Sequence, residues 1–405
     1  MTMLATPTKR PTPAGRPRGG IACESDSIET VPLTEERSFA YWQQDIPQSY
    51  WSLTAAELAA RIAAARAKLG TRLVVLGHHY QREDIIQFAD FRGDSFKLSQ
   101  WAAERPQAEY IVFCGVHFMA EAADILSAPH QKVMLPNMAA GCSMADMADP
   151  DDVYNAWAEL EELGIAQDTL PITYMNSAAS LKAFVGERGG AVCTSSNAKK
   201  VLEWAFAQKK RVLFFPDQHL GRNTGHAMGV PPEQMLLWGW ARPYGSMGGQ
   251  TLDALRQSRI ILWAGHCSVH QRFTPRQIAE ARAQYPDITV IVHPECRRET
   301  VQASDLNGST EFIAKTIAQA PAGSKFAVGT EINLVSRLAK ENPDKTVFCL
   351  DPVVCPCSTM YRVHPAYLAW TIESLAEGRV VNQVIVPDAV RANAKLALDR
   401  MLDIR

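Results

Sequence analysis

Short, unbroken apolar runs, each closed by glycine or a small polar turn, recur along this chain with room for a helix between them. Leu73-Val74-Val75-Leu76, Tyr110-Ile111-Val112-Phe113, Arg211-Val212-Leu213-Phe214-Phe215, Ile260-Ile261-Leu262-Trp263 and Thr289-Val290-Ile291-Val292 set the pattern. Such runs are too short for core helices and too uniformly apolar for strands with one wet face. Strands buried on both faces and alternating with helices build parallel sheets, so the expected fold class is α/β. Open α/β sheets collect their ligands outside the strand ends, so the turns after these runs are where chemistry is expected.

Those turns carry chemistry-bearing side chains. Ile260–Trp263 is followed by Gly265-His266-Cys267-Ser268-Val269-His270, and Leu73–Leu76 by Gly77-His78-His79-Tyr80. Lys132–Leu135 leads to Ala139-Ala140-Gly141-Cys142-Ser143, and Pro171–Met175 to Asn176-Ser177. Ala191-Val192-Cys193 delivers Thr194-Ser195-Ser196-Asn197 to a helix start, where hydroxyls either cap the helix or help its free amides hold an anion. Asn307-Gly308-Ser309-Thr310 has the same character. His293-Pro294-Glu295 sets a histidine and a carboxylate two residues apart, on the same side of an extended chain, as an acid/base pair, metal ligands or a simple ion pair.

With 405 residues the chain exceeds one ordinary core, and two or three domains are expected. We read a disordered tail over 1–40, α/β units over 50–148, 149–262 and 263–405, and two terminal helices in the last unit. Residues 221–258, with several glycines, prolines and tryptophans, read as a long irregular insertion on the second unit. Phe91-Arg92-Gly93-Asp94-Ser95 reads as a polar turn. Thr54 with Glu57, and Thr274 with Gln277, spell capping boxes at helix starts. A net charge of −2 and the lack of a basic stretch with interleaved aromatics argue against nucleic acid. No long apolar run or signal-type leader is present, which predicts a cytoplasmic chain without a membrane partner.

Nine scattered cysteines with no C-x-x-C pair fit neither a disulfide framework nor a zinc ribbon. Each third of the chain nevertheless places a cysteine on a turn: Cys142, Cys267, and Cys355 or Cys357. Three thiolates from three converging units would leave one iron of a [4Fe-4S] cluster without a cysteine, open to a substrate as a Lewis acid.

The segments Gly77-His78-His79-Tyr80, Gly93-Asp94-Ser95, Phe118-Met119-Ala120-Glu121, Tyr174-Met175-Asn176-Ser177 and Cys193-Thr194-Ser195-Ser196-Asn197 closely resemble the quinolinate synthase family. Pro216-Asp217, Gly265-His266-Cys267-Ser268-Val269-His270, Val292-His293-Pro294-Glu295-Cys296, Gly308-Ser309-Thr310 and Gly329-Thr330-Glu331 continue the resemblance in order. It implies three similar α/β domains, each an αβα sandwich, around a pseudo-threefold axis with a central [4Fe-4S] cluster. It implies condensation of iminoaspartate with dihydroxyacetone phosphate to quinolinate, releasing phosphate and water, in de novo NAD synthesis, with a functional link to L-aspartate oxidase. By position, the resemblance gives Cys142, Cys267 and Cys355 as cluster ligands, and His78, Ser95, Tyr174, Asn176, Ser195, His293, Glu295 and Thr310 as substrate-binding residues. Glu295 is then the expected general base beside the open iron, with Tyr80 and His293 as its catalytic companions. The tail departs from the family pattern: Ser358 and Tyr361 stand where Met and Asn are common, which leaves Cys357 as the alternative third ligand. The competing classes are a zinc- or iron-dependent lyase of other specificity and a non-enzymatic iron-sulfur sensor.

Overall fold

The computed structural model describes residues 43–353 and 356–404. The expected tail over 1–40 and the third-ligand expectation at Cys355 lie outside the described residues. Fourteen strands among these residues form three sheets. The first holds β1 (Leu73–His78), β2 (Phe91–Gly93), β3 (Tyr110–Cys114) and β4 (Lys132–Met134). The second holds β5 (Thr169–Tyr174), β6 (Ala191–Cys193), β7 (Arg211–Phe215), β8 (Met235–Trp238) and β9 (Ile260–Trp263). The third holds β10 (Thr289–Val292), β11 (Leu306–Asn307), β12 (Lys325–Gly329) and β13 (Thr346–Cys349), and a late strand, β14 (Gln383–Val384), returns to the first.

One strand order recurs. The first sheet runs β2-β1-β3-β4, the second β6-β5-β7-β9 and the third β11-β10-β12-β13, all parallel. In each, the chain lays down a first strand, places the second on one side and crosses to the other side for the rest. The carboxyl ends flanking that reversal are where parallel sheets leave a crevice. The sheets differ only by additions: β8 pairs parallel outside β9, and β14 pairs antiparallel outside β4.

The structure corrects two readings. Residues 221–258 are not irregular, since they hold most of the helix Gln218–Ala227, then β8 and the helix Leu252–Gln257. The register Leu236↔Ile261 and Leu237↔Leu262 shows why: Met235–Trp238 is a further short apolar run, added to the edge of the sheet beside β9. Phe91–Gly93 is an edge strand, with Leu76↔Phe91 and His78↔Gly93 in register, rather than a turn. Both expected capping boxes form, with the Thr54 and Thr274 side chains accepting from Glu57 and Gln277 amides. No helix among the described residues is long and apolar enough to cross a membrane.

The chain's end ties the first two sheets together. Helix Asp388–Asp403 packs on helix Ala179–Glu187 and on β6. Arg400 donates to the carbonyls of Gly186 (3.0 Å) and Gly190 (2.6 Å), while Arg391 pairs with Asp124 beside the first sheet. Helix backbones approach so closely that a Cβ on Gly186 would sit 1.9 Å from the Asn393 carbonyl oxygen. Gly186→Ala is therefore expected to force the helices apart and destabilise the fold by about 1–3 kcal/mol, the usual cost of overpacking. A lowered thermal midpoint with unchanged far-ultraviolet dichroism would show it.

Candidate functional site

A cavity lies where the carboxyl ends of all three sheets meet. The repeated strand order distributes its lining by kind. At or just past the ends of the first strands come His78 and Tyr80, Tyr174 and Asn176, and His293 and Glu295; after the second strands come Ser95, Ser195 and Thr310; after the last parallel strands come Cys142, Cys267 and Cys357. Every site residue expected from the sequence lines this cavity except Cys355, which is not among the described residues. Cys357, the described cysteine of that pair, lies on the wall.

The two histidines are held in one tautomer by the same device. His78 Nδ1 accepts the amide of Tyr80 (3.1 Å), and His293 Nδ1 accepts that of Glu295 (3.3 Å). Burial pushes His78 well below the usual imidazole range and His293 down to about 3, so both rings are neutral. With Nδ1 an acceptor, the ring proton sits on Nε2, and each histidine has one N–H left to donate.

Glu295 is 3% exposed yet well partnered. Tyr174 donates its phenol to Oε1 at 2.6 Å, and His270 Nδ1 lies 2.7 Å from Oε2. Burial alone would raise the carboxyl, but His270, His293 and the two hydrogen bonds outweigh it and hold Glu295 below the ordinary carboxylate range. The His270 ring stacks on His293, centroids 4.5 Å apart. Its other nitrogen, Nε2, faces the hydroxyls of Thr330 (3.1 Å) and Tyr80 (3.4 Å), which lie 2.8 Å from each other. A continuous chain thus runs Tyr174–Glu295–His270–Thr330–Tyr80. Burial, and then Glu295, push both phenols well above their usual value, so they carry their protons. His270 and Thr330 escaped assignment from sequence, although each stands in a segment already singled out.

The hydroxyl wall is built at helix starts. Ser95 opens a helix capped by Asp94, whose other oxygen accepts from Ser196 Oγ at 2.6 Å and so links the first and second sheets' loops. Thr310 opens a helix capped by Ser309. Thr310 Oγ1 is buried with no hydrogen-bond partner among the described residues, as a group awaiting a ligand would be.

The three thiols lie close enough for Cys267 to feel the charge of Cys357 and Cys142, and for Cys142 to feel that of Cys357. Burial pushes Cys142 up to about 12 and raises Cys267 and Cys357 as well. No disulfide joins them. Gly265 permits the approach that places Cys267: a Cβ there would lie 2.4 Å from the Pro216 carbonyl oxygen, and Gln218 N donates to Gly265 O at 3.0 Å.

A family model described as quinolinate synthetase A protein matches residues 60–403. The chain belongs to that family. It is 58% identical to a quinolinate synthase of Corynebacterium glutamicum over 362 residues, covering 89% of this chain and 91% of the relative. A quinolinate synthase of Herpetosiphon aurantiacus is 55% identical over 93% of this chain and 98% of its own length. One from Bacillus subtilis is 51% identical, covering 89% and 96%. The family expected from the sequence motifs is thereby established.

Within this family site, His270→Asn removes the link between Glu295 and the Thr330–Tyr80 hydroxyls. Loss of a positioned acid/base group is expected to lower turnover to quinolinate by on the order of 10²–10⁴-fold. Thr330→Val, which keeps shape and leaves the Tyr80–His270 contact, is expected to lose less. Steady-state kinetics on both variants, with thermal midpoints as a fold control, checks the order.

Proposed function

We propose that this cavity condenses iminoaspartate with dihydroxyacetone phosphate to quinolinate, with release of phosphate and water. The observation that carries the reading is the convergence of three kinds of donor on one cavity: neutral imidazole N–H groups, helix-opening hydroxyls and thiols. A dicarboxylate suits the N–H groups of His78 and His293 with Tyr174 and Asn176. A phosphate suits Ser95, Ser195 and Thr310, two of them at the first residue of a helix.

The donor set fits an iron-sulfur cluster. Buried, mutually close thiols are costly as thiolates without a compensating cation, and soft thiolates select iron-sulfur centres. We assign Cys142, Cys267 and Cys357 as ligands of a [4Fe-4S] cluster, with Cys357 taken over the sequence expectation at Cys355 because its thiol lies on the cavity wall, close enough for its charge to act on both Cys142 and Cys267. When bound, the cluster would offer one iron without a cysteine as a Lewis acid for substrate oxygen or nitrogen.

Protons are handled by the chain itself. Because Glu295 is held ionised, it is a weak base and serves best by keeping the His270 proton on Nδ1. The basic atom is then His270 Nε2, which takes the Tyr80 proton, directly or by way of the Thr330 hydroxyl, as the Tyr80 oxygen accepts one from the substrate, and which returns it along the same path in a dehydration step. This moves the base expected at Glu295 one residue along the chain of hydrogen bonds, with Glu295 as its partner.

A second reading has a specific observation behind it. One ligand atom from each of Cys267, His270 and Glu295 lies within 4.8 Å of the others, a set that could hold a single metal ion. Anaerobic purification followed by iron and sulfide analysis separates the two: equal iron and sulfide with a brown chromophore fits the cluster, one metal without sulfide fits the lyase. Cys357→Ser is expected to lose the cluster and quinolinate formation, and Cys355→Ser to keep both. A full cluster in Cys357→Ser would defeat the assignment.

A further inference from the structure

The wall carrying Tyr174 and Asn176 is built unlike its counterparts. In the first and third sheets the turn after the first strand is clasped by a histidine ring accepting an amide two residues on. In the second sheet that position is Tyr174, whose phenol is engaged with Glu295, so the clasp must come from elsewhere. Ser177 supplies part of it: its hydroxyl donates to the Tyr174 carbonyl (3.0 Å) and is met by Thr173 Oγ1 (2.9 Å). The rest comes from Lys182, on helix Ala179–Glu187, whose Nζ donates to the Ser177 carbonyl.

Lys182 is fully buried, an unusual position for a lysine. Its Nζ lies 5.5 Å from the ring centroid of Phe118, another residue of the cavity wall. The amine therefore lies between the Asn176-Ser177 turn, which it hydrogen-bonds, and the Phe118 ring, which is within cation–π range. Asn176, held at that seam, makes no side-chain hydrogen bond among the described residues and keeps its amide for the cavity. We propose that Lys182 is a positioning residue for the dicarboxylate end of the substrate, its buried ammonium clamping the Ser177 carbonyl and the Phe118 face so that Tyr174 and Asn176 meet the ligand at a fixed depth. The proposal rests on the assignment of Asn176 to substrate binding.

Burial lowers the Lys182 ammonium to about 8, with Glu121 opposing the shift. The charged and titratable groups around its helix are few. Helix His117–Leu126 offers Glu121, which accepts the Ala179 amide and lies 3.8 Å from His117, and Asp124, which is paired with Arg391 of the terminal helix. That helix also brings Arg400, bound to the Gly186 carbonyl, and helix Pro150–Glu162 brings Tyr154, edge-on to Phe184. Glu121 is the one that acts on Lys182. As pH rises through about 8 the ammonium is lost, weakening the hold on the carbonyl and the ring. Fold stability moves the other way: a lysine lowered by folding binds fewer protons than the unfolded chain between about 8 and 10.5, so its contribution to stability grows across that window. Ligand binding that weakens while the fold firms is a signature that a merely structural lysine would not give.

The experiment measures quinolinate affinity by calorimetry, and KM and kcat for iminoaspartate, on cluster-loaded protein from neutral to alkaline pH. Lys182→Met is expected to weaken quinolinate binding and raise KM about tenfold, the worth of one charge-assisted hydrogen bond, with kcat changed much less. The alkaline weakening seen in the parent should be absent from Lys182→Met and shifted to lower pH in Glu121→Gln. Equal quinolinate affinity in Lys182→Met and parent, or parent binding flat through the titration, overturns the proposal. If Lys182→Met does not fold, the parent and Glu121→Gln profiles decide alone. Asn176→Ala separates the premise from the inference: an unchanged KM there defeats the substrate assignment, whereas a raised KM there with an unaffected Lys182→Met defeats only the role of Lys182.

Discussion

A parallel strand can hand a side chain to a ligand only where its hydrogen-bonded ladder stops, and in a parallel sheet every ladder stops on the same side. This constraint organises the protein. Three sheets with one strand order, turned so that their carboxyl ends meet, put like with like: ring and carboxylate groups from first strands, hydroxyls from second, thiols from last. Third strands contribute from behind, with Asp217 and Glu331 capping the helices that follow β7 and β12 and Thr330 entering the proton chain. Chemistry that needs three classes of donor is thus obtained from one arrangement used three times.

Repetition supplies position, and the substitutions within it supply function. His78 and His293 occupy matching sites and share a clasp, yet only the second is followed two residues later by a carboxylate. That single negative charge, 3% exposed, is tolerated because His270 and Tyr174 both reach it. In water such contacts would be worth little, whereas in a buried site each partner counts for more and an unpaired charge would be prohibitive. The polar chain from Tyr174 to Tyr80 is therefore both what permits Glu295 to be buried and what gives its charge a use.

Much of this was legible in the residues. Uniform apolar runs such as Val212–Phe215 and Ile260–Trp263 read directly as buried strands, and the motifs at their ends pointed to most of the cavity wall. Phe91–Gly93 and Leu306–Asn307 did not, because edge strands of two or three residues have no apolar run and take their geometry from the neighbour they pair with. Met235–Trp238 was hidden among glycines and prolines. His270 and Thr330 stand 60 residues apart, and nothing local says that an imidazole after one sheet will meet a hydroxyl after another. Between Cys355 and Cys357 the sequence offers two thiols one proline apart and no local signal that Cys357 lines the cavity.

The terminal strap carries a consequence for the order in which the protein can be made. β4 gains its outer neighbour only from Gln383–Val384, and β6 and the helix beside it gain their cover only from Asp388–Asp403. A nascent chain halted before those residues would leave β4 as an open edge, and an uncovered edge recruits other strands. The first and second sheets, although translated earlier, therefore remain unfinished until residues 383–403 leave the ribosome.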